Sequence, residues 1–218
     1  MHPENRSFCD LMASTAAGGV EVGACHVGVY STDLYTDRLV SVVREHAASD
    51  EDSERARPLF LYAAYQAVHG PMDEPPETSA YSPEQMAMME RVRNSSDAWR
   101  AREKFAKITM SLDRAVLRLA KELDDVGYLS NTVIALASDN GACPSEGGNN
   151  WPLRGTKFEQ FEGGVRVPAF IWSVVVVVAR TRAAVFCCTP SFYVARPANY
   201  AIFTVGSRWG RNTCVPSR

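Results

Sequence analysis

Two apolar runs of strand length, separated by a long helical pattern, most strongly limit the folds open to this chain. The runs cover residues 59–65 and 133–137, and uninterrupted apolar runs of this kind are typical of strands buried in a parallel sheet. Between them, over residues 98–127, apolar residues recur at the spacing of a helix that is buried on one side. A second helical pattern, over residues 31–47, precedes the first run. This order predicts an α/β fold with a mainly parallel sheet.

The composition is that of an ordinary globular domain and excludes several function classes. The 218 residues suffice for one sizeable core. A net charge of -2 supplies no basic surface for nucleic acid. The apolar run of residues 174–179, like that of residues 59–65, is too short to span a membrane. Residues 1–6 lack the apolar segment of a signal peptide, so none is expected in this chain.

Charge is distributed unevenly along the chain. Residues 173–218 contain six Arg and no acidic residue, so this segment carries +6. All 25 acidic residues, with 17 of the 23 basic ones, lie in residues 1–172, which therefore carry −8. The shift marks either a domain boundary or a segment that does not belong to the fold.

Polar side chains follow both predicted strands, where ligands collect in open α/β sheets. His69 comes just after the first strand, and Asp139 and Asn140 come directly after the second. Carboxylate and amide oxygens suit a hard cation such as calcium or magnesium. Asp139-Asn140-Gly141 is also typical of a simple turn, so both interpretations stay open.

A third candidate region is rich in glycine and contains one lysine. Residues 147–157 include paired glycines and end at Lys157, and a second pair, Gly163 and Gly164, follows. Glycine pairs permit a close approach of backbone to a ligand, and Lys157 could neutralise an anion. Tight turns with solvated charges are the alternative.

Over residues 30–172 the chain resembles the sulfatases, most closely those of the arylsulfatase B (N-acetylgalactosamine-4-sulfatase) type. The most specific match is Asn149-Asn-Trp-Pro-Leu-Arg-Gly155. The other matching segments are 30–38, 58–62, 66–69, 111–116, 131–133, 138–141 and 162–168, together with Lys157. Their order and spacing agree with the family. A phosphodiesterase of the same superfamily is a weaker alternative.

The resemblance implies an alkaline-phosphatase-like α/β fold, here incomplete, with a mixed, mainly parallel sheet flanked by helices. It also implies a calcium-dependent sulfuric ester hydrolase. It implies that Asp139 and Asn140 are calcium ligands, that His69 is a general acid, and that Lys157 binds the sulfate. It further implies a formylglycine nucleophile made from Cys-x-Pro-Ser-Arg. The expected substrate is a sulfated small molecule or a glycosaminoglycan sugar. The expected location of such a glycoprotein is lysosomal or secreted.

Several family features are not found upstream of Tyr30, where they are expected. These are an Asp-Asp pair of metal ligands, the Cys motif and a Lys-x-His element. The chain ends in Cys214-Val-Pro-Ser-Arg218, which we interpret as coincidence because its order relative to Asp139 and Lys157 is reversed. A catalytically inactive, truncated relative that at most binds an anion or a partner is therefore the alternative function.

The resemblance and the charge pattern together predict the domain organisation. Residues 1–29 are expected to be an irregular lead-in, and residues 30–172 a partial sulfatase catalytic domain. Residues 173–218 are expected to be a foreign segment outside the fold, since the resemblance stops where the acid-free segment begins.

Overall fold

A computed structural model describes eight segments of the chain. These segments are residues 12–14, 20–22, 26, 28–51, 57–76, 81–94, 99–173 and 199–205. Their elements are β1 (Met12–Ser14), β2 (Val20–Val22), α1 (Ser31–Glu51), β3 (Phe60–Tyr65), α2 (Pro83–Arg93), α3 (Trp99–Asp125), β4 (Thr132–Ser138), α4 (Glu162–Val165), β5 (Ala169–Ser173) and β6 (Asn199–Val205). Two short 3-10 helices, Leu129–Asn131 and Pro144–Glu146, flank β4.

The main sheet has four strands in the order β3, β6, β4 and β5. β6 pairs in parallel with both β3 and β4, and β5 pairs antiparallel with β4. Two of the three pairings are therefore parallel, which confirms the prediction of a mixed, mainly parallel α/β sheet.

Helices α1 and α3 cover one face of this sheet. Their apolar side chains share a buried core with β3 and β4, which contains Val40, Val43, Leu61, Ala63, Tyr65, Ile108, Leu112, Ala115, Leu119, Leu123 and Ile134. The predicted apolar pattern of α3 is confirmed, and Gly127 takes a φ of 76°, as expected for a glycine beyond a helix end. No helix among the described residues is long and apolar enough to cross a membrane.

Strand β3 differs from its prediction in one respect. Its side chains alternate between exposed and buried positions, and Phe60 and Tyr62 are 62% and 58% exposed. The uninterrupted apolar run predicted burial on both faces, which is wrong for the described residues. Those residues cover β3 only on the side of α1 and α3, so only alternate side chains enter the core.

Two polar contacts join the helices to each other and to the sheet. The Tyr65 hydroxyl lies 3.0 Å from Oγ1 of Thr36, which donates its own proton to the carbonyl oxygen of Thr32. Tyr65 must therefore donate to Thr36, and burial raises the pKa of its phenol. Arg44 of α1 and Glu122 of α3 form a two-pronged ion pair at 2.6 and 2.7 Å.

The two ends of the chain contain strands that the sequence did not indicate. β1 and β2 pair antiparallel, so residues 12–14 and 20–22 of the expected lead-in form regular structure. In the acid-free segment, Ser173 ends β5 and residues 199–205 form β6 between β3 and β4. The expectation that 173–218 lies outside the fold thus does not hold for these residues. Strand pairing uses backbone groups and needs no acidic side chain.

Removing a buried side chain from α3 should destabilise the fold. Leu119 is fully buried, whereas Leu117 on the same helix is 70% exposed. We expect Leu119→Ala to lower the free energy of unfolding in urea by about 2–5 kcal/mol, because it leaves a cavity. The matched control, Leu117→Ala, should change it by about 0.5 kcal/mol or less. Equal effects would contradict the burial of this face.

Breaking the backbone of β6 should destabilise the sheet. Ile202 pairs with Tyr62 on one side and Ala135 on the other, so its N–H faces a neighbouring strand in either direction. Proline lacks this N–H, so Ile202→Pro should lower the free energy of unfolding by about 1–3 kcal/mol. The urea concentration at the midpoint of unfolding should fall accordingly. Ile202→Val keeps the N–H and is the control. Equal midpoints for the two variants would show that β6 does not pair at the centre of the sheet.

Candidate functional site

The predicted site residues meet at one edge of the sheet. His69 lies four residues beyond the end of β3, and Asp139 and Asn140 follow β4 directly. Both strands run in the same direction, so their carboxyl ends lie at the same edge. His69, Asp139, Asn140 and Lys157 all line one pocket of about 780 Å³. The structure thus brings together all four residues that the sequence singled out.

A hydrogen bond between His69 and Lys157 is the central contact of this pocket. Nζ of Lys157 lies 2.9 Å from Nε2 of His69, and both side chains are half-buried. Nδ1 of His69 lies 2.7 Å from the carbonyl oxygen of Gly70, which can only accept. Nδ1 must therefore carry a proton, and an ammonium group has only donors, so Nε2 accepts from Lys157. These partners assign the neutral Nδ1–H tautomer to His69.

Lys157 is held by a loop rather than by a helix or strand. Its backbone N–H donates to the carbonyl oxygen of Ala142 at 3.2 Å. Asn150 reinforces this contact, because its side chain accepts from the backbone N–H of Ala142 at 2.8 Å and donates to the carbonyl oxygen of Ala142 at 2.9 Å. Sequence reasoning assigned no role to Asn150. An amide side chain next to paired glycines is the signal that could have indicated it, since it can donate and accept at once.

The glycines of this region bring loop backbones together. A Cβ atom at Gly141 would overlap the carbonyl group of Gly163, and one at Gly163 would overlap that of Gly155. The backbone N–H of Gly141 donates to Gly164 at 2.8 Å, and that of Gly163 donates to Arg154 at 2.7 Å. The close approaches at Gly141 and Gly163 are therefore between backbone segments of the chain itself.

The two predicted metal ligands, Asp139 and Asn140, are adjacent oxygen donors of the pocket, which the carboxylates of Asp113 and Glu146 also line. Asp139 is exposed and Asn140 is half-buried. Within the segments that the structure describes, no group of three or more His, Cys, Asp or Glu residues could hold a metal ion. Calcium takes six to eight oxygen ligands, so Asp139 and Asn140 fit part of its ligand shell and not the whole of it.

Comparisons with known proteins show the family of the chain. The family model of the sulfatases matches residues 2–184. The chain belongs to the sulfatase family. The match extends beyond residues 30–172 on both sides, and the family confirms the expected alkaline-phosphatase-like α/β class.

Individual sulfatases match at moderate identity over part of their length. Arylsulfatase J of Mus musculus is 36% identical over 146 residues, which cover 67% of this chain and 21% of the relative. N-acetylgalactosamine-6-sulfatase of the same species is 30% identical over 145 residues, which cover 65% of this chain and 23% of the relative. The chain therefore spans about a fifth of the length of these relatives.

A solved structure supports the fold directly. Ps i-CgsB in complex with k-i-k-neocarrahexaose superposes with a TM-score of 0.55 at 26% identity. The alignment covers 86% of this chain and 34% of that protein.

The sulfatase nucleophile is not supplied by the cysteine next to the pocket. Cys143 lines the pocket but is disulfide-bonded, so its thiol cannot be oxidised to formylglycine. It is the one cysteine among the described residues. Cys214, in the terminal Cys-x-Pro-Ser-Arg sequence, lies outside them.

His69 and His46 each lie within hydrogen-bond distance of a backbone carbonyl oxygen, and we expect them to have opposite tautomers. His69 should carry its proton on Nδ1. Nε2 of His46 lies 3.0 Å from the carbonyl oxygen of Arg57, so His46 should carry its proton on Nε2 when neutral. Long-range nitrogen–proton NMR at a pH where both rings are neutral distinguishes the two forms. A proton on Nε2 of His69 would contradict the hydrogen bond from Lys157.

Proposed function

We propose that this pocket binds the sulfate group of a sulfate ester, as part of a calcium-dependent sulfuric ester hydrolase. The observation that carries the proposal is the 2.9 Å contact between Lys157 and His69 beside Asp139 and Asn140. A cation and an imidazole in contact provide two hydrogen-bonding groups that converge on one point. Oxygen donors for a metal lie in the same pocket, and this combination suits a small, doubly charged oxyanion.

Lys157 and His69 would act on different parts of the ester. The ammonium group of Lys157 would donate to a sulfate oxygen and stabilise the charge that develops as the ester bond breaks. His69 would protonate the leaving oxygen through Nε2. Since Nε2 accepts from Lys157 in the structure, the ring must first take up a proton there from solvent before it can give one to the leaving oxygen. Sulfate bound between the two groups would take up the hydrogen bond that Lys157 now donates to Nε2.

Asp139 and Asn140 would contribute oxygen ligands to calcium. When bound, calcium would supply positive charge to the sulfate oxygens, and formylglycine would supply the nucleophile. The described residues supply the sulfate contacts and part of the metal shell.

The proposed substrate class is a sulfated sugar. Two similar proteins have names that point to it, an N-acetylgalactosamine-6-sulfatase and a protein solved with a neocarrahexaose. Four aromatic side chains, Phe105, Phe158, Phe170 and Trp172, line the pocket and offer flat apolar surfaces to a ring. We further propose a lysosomal or secreted location for the protein.

A second candidate is a non-catalytic relative that binds an anion. It is favoured by the small number of metal ligands among the described residues, where Asp139 and Asn140 cover two of six to eight positions. Binding and turnover must therefore be measured separately.

Sulfate binding tests the site without requiring catalysis. In calorimetric titrations with calcium present, we expect inorganic sulfate to bind the full chain. Lys157→Met should weaken this binding by about one to two orders of magnitude, because a hydrogen bond from a charged donor is worth about 1.5–3 kcal/mol. Lys121→Met is the control. It removes the same charge from a side chain that is 71% exposed and does not line the pocket.

Hydrolysis of 4-nitrophenyl sulfate then distinguishes the two candidates. Turnover that His69→Ala abolishes would establish the hydrolase. Sulfate binding without turnover would establish the anion-binding relative. Absence of binding, or equal binding by Lys157→Met and Lys121→Met, would refute both.

A further inference from the structure

Phe158, the residue after Lys157, occupies an unusual backbone position. The carbonyl oxygen of Thr156 accepts from the N–H of Glu159 at 3.0 Å, which closes a four-residue turn with Phe158 at its third position. The φ angle of Phe158 is 76°, and it is the one non-glycine residue with positive φ among the described residues. Turns of this type normally have glycine or asparagine at that position, since a Cβ atom is disfavoured there.

Neither burial nor local backbone preference accounts for a phenylalanine in this turn. Its side chain is 70% exposed, so it contributes little to the core. Glycine would adopt the same φ without strain. Residues held in such conformations are concentrated at sites of ligand contact, where the surrounding structure enforces them.

The ring of Phe158 lies beside the proposed sulfate site. It lines the same pocket as His69 and Asp139, and Nζ of Lys157 lies 5.3 Å from the ring centre. A group that accepts a hydrogen bond from Lys157 would therefore place the atoms attached to it near this ring. The exposed apolar surface of the ring has no other described function.

We propose that Phe158 packs against the sugar ring that bears the sulfate and so determines which esters the site accepts. This inference rests on the proposed function. The sulfate would be held by Lys157 and His69, and the apolar C–H face of the pyranose would lie on the phenyl ring. Because the two parts of the ester contact different residues, their contributions to affinity are separable.

Titrations with two probes test this division. Galactose 6-sulfate contains both parts of the proposed ligand, and inorganic sulfate contains only the anion. We expect Phe158→Leu and Phe158→Gly to weaken binding of galactose 6-sulfate by about 3- to 10-fold, as expected for the loss of one ring contact. Binding of inorganic sulfate should be unchanged. Phe158→Trp should retain the affinity for galactose 6-sulfate because it retains an aromatic face.

Stability provides a readout independent of binding. Phe158→Gly should leave the melting temperature unchanged or raise it by up to about 2–4 °C, because it relaxes the positive φ. Loss of galactose 6-sulfate affinity in a variant of equal or higher stability excludes a folding defect. Phe161→Leu is the matched control: Phe161 is also an exposed aromatic of this loop, but Arg154 covers its ring and it does not line the pocket.

Each remaining outcome has a defined meaning. If the Phe158 variants lose affinity for both probes equally, the residue acts by positioning Lys157 and the proposal is wrong. It is also wrong if neither affinity changes, or if Phe161→Leu has the same effect as Phe158→Leu. If the unsubstituted chain binds neither probe, the proposed function itself fails, which is a different result from a failure specific to Phe158.

Discussion

The parallel hydrogen bonding of β6 to both β3 and β4 is the constraint on which the candidate site depends. Adjacent strands lie about 4.8 Å apart, so β3 and β4, as second neighbours, lie about 10 Å apart. Because both run in the same direction, the chain leaves them at one edge of the sheet. Residues 69 and 139, far apart in sequence, consequently line one pocket. The helical layer on one face stabilises this arrangement by burying alternate side chains of β3.

The second half of the site comes from loops whose backbones pack against each other. Gly141, Gly155 and Gly163 allow close approaches that any side chain would block. The side-chain amide of Asn150 donates to the carbonyl oxygens of Ala142 and Gly155 and so joins two of these segments. Lys157 reaches His69 across 88 residues of sequence because these contacts position its loop. The glycines therefore act on function indirectly, through the placement of Lys157.

Strands β3 and β4, the long helix and the positions of the four candidate site residues were predictable because each depends on local sequence. Apolar periodicity identified α3, and the polar residues after two apolar runs identified His69, Asp139 and Asn140. The burial of β3 on one face was not predictable, since an apolar run does not indicate what covers each side. β6 was missed because the charge pattern and the family resemblance both set the tail apart, whereas strand pairing uses the backbone.

The sequence by itself determined the chemical groups of the site and the family to which the chain belongs, because residue identities and motif spacing are properties of the chain alone. The tertiary structure decided how those groups interact. The protonation of His69 at Nδ1 follows from the carbonyl oxygen of the adjacent Gly70 together with the ammonium group of Lys157, which is 88 residues away in sequence. The exposed position of Phe158 beside Lys157 depends on a turn with positive φ that phenylalanine does not favour. The contact between His69 and Lys157 joins distant segments, and the φ of Phe158 belongs to a turn that its own side chain disfavours, so only the folded chain defines them.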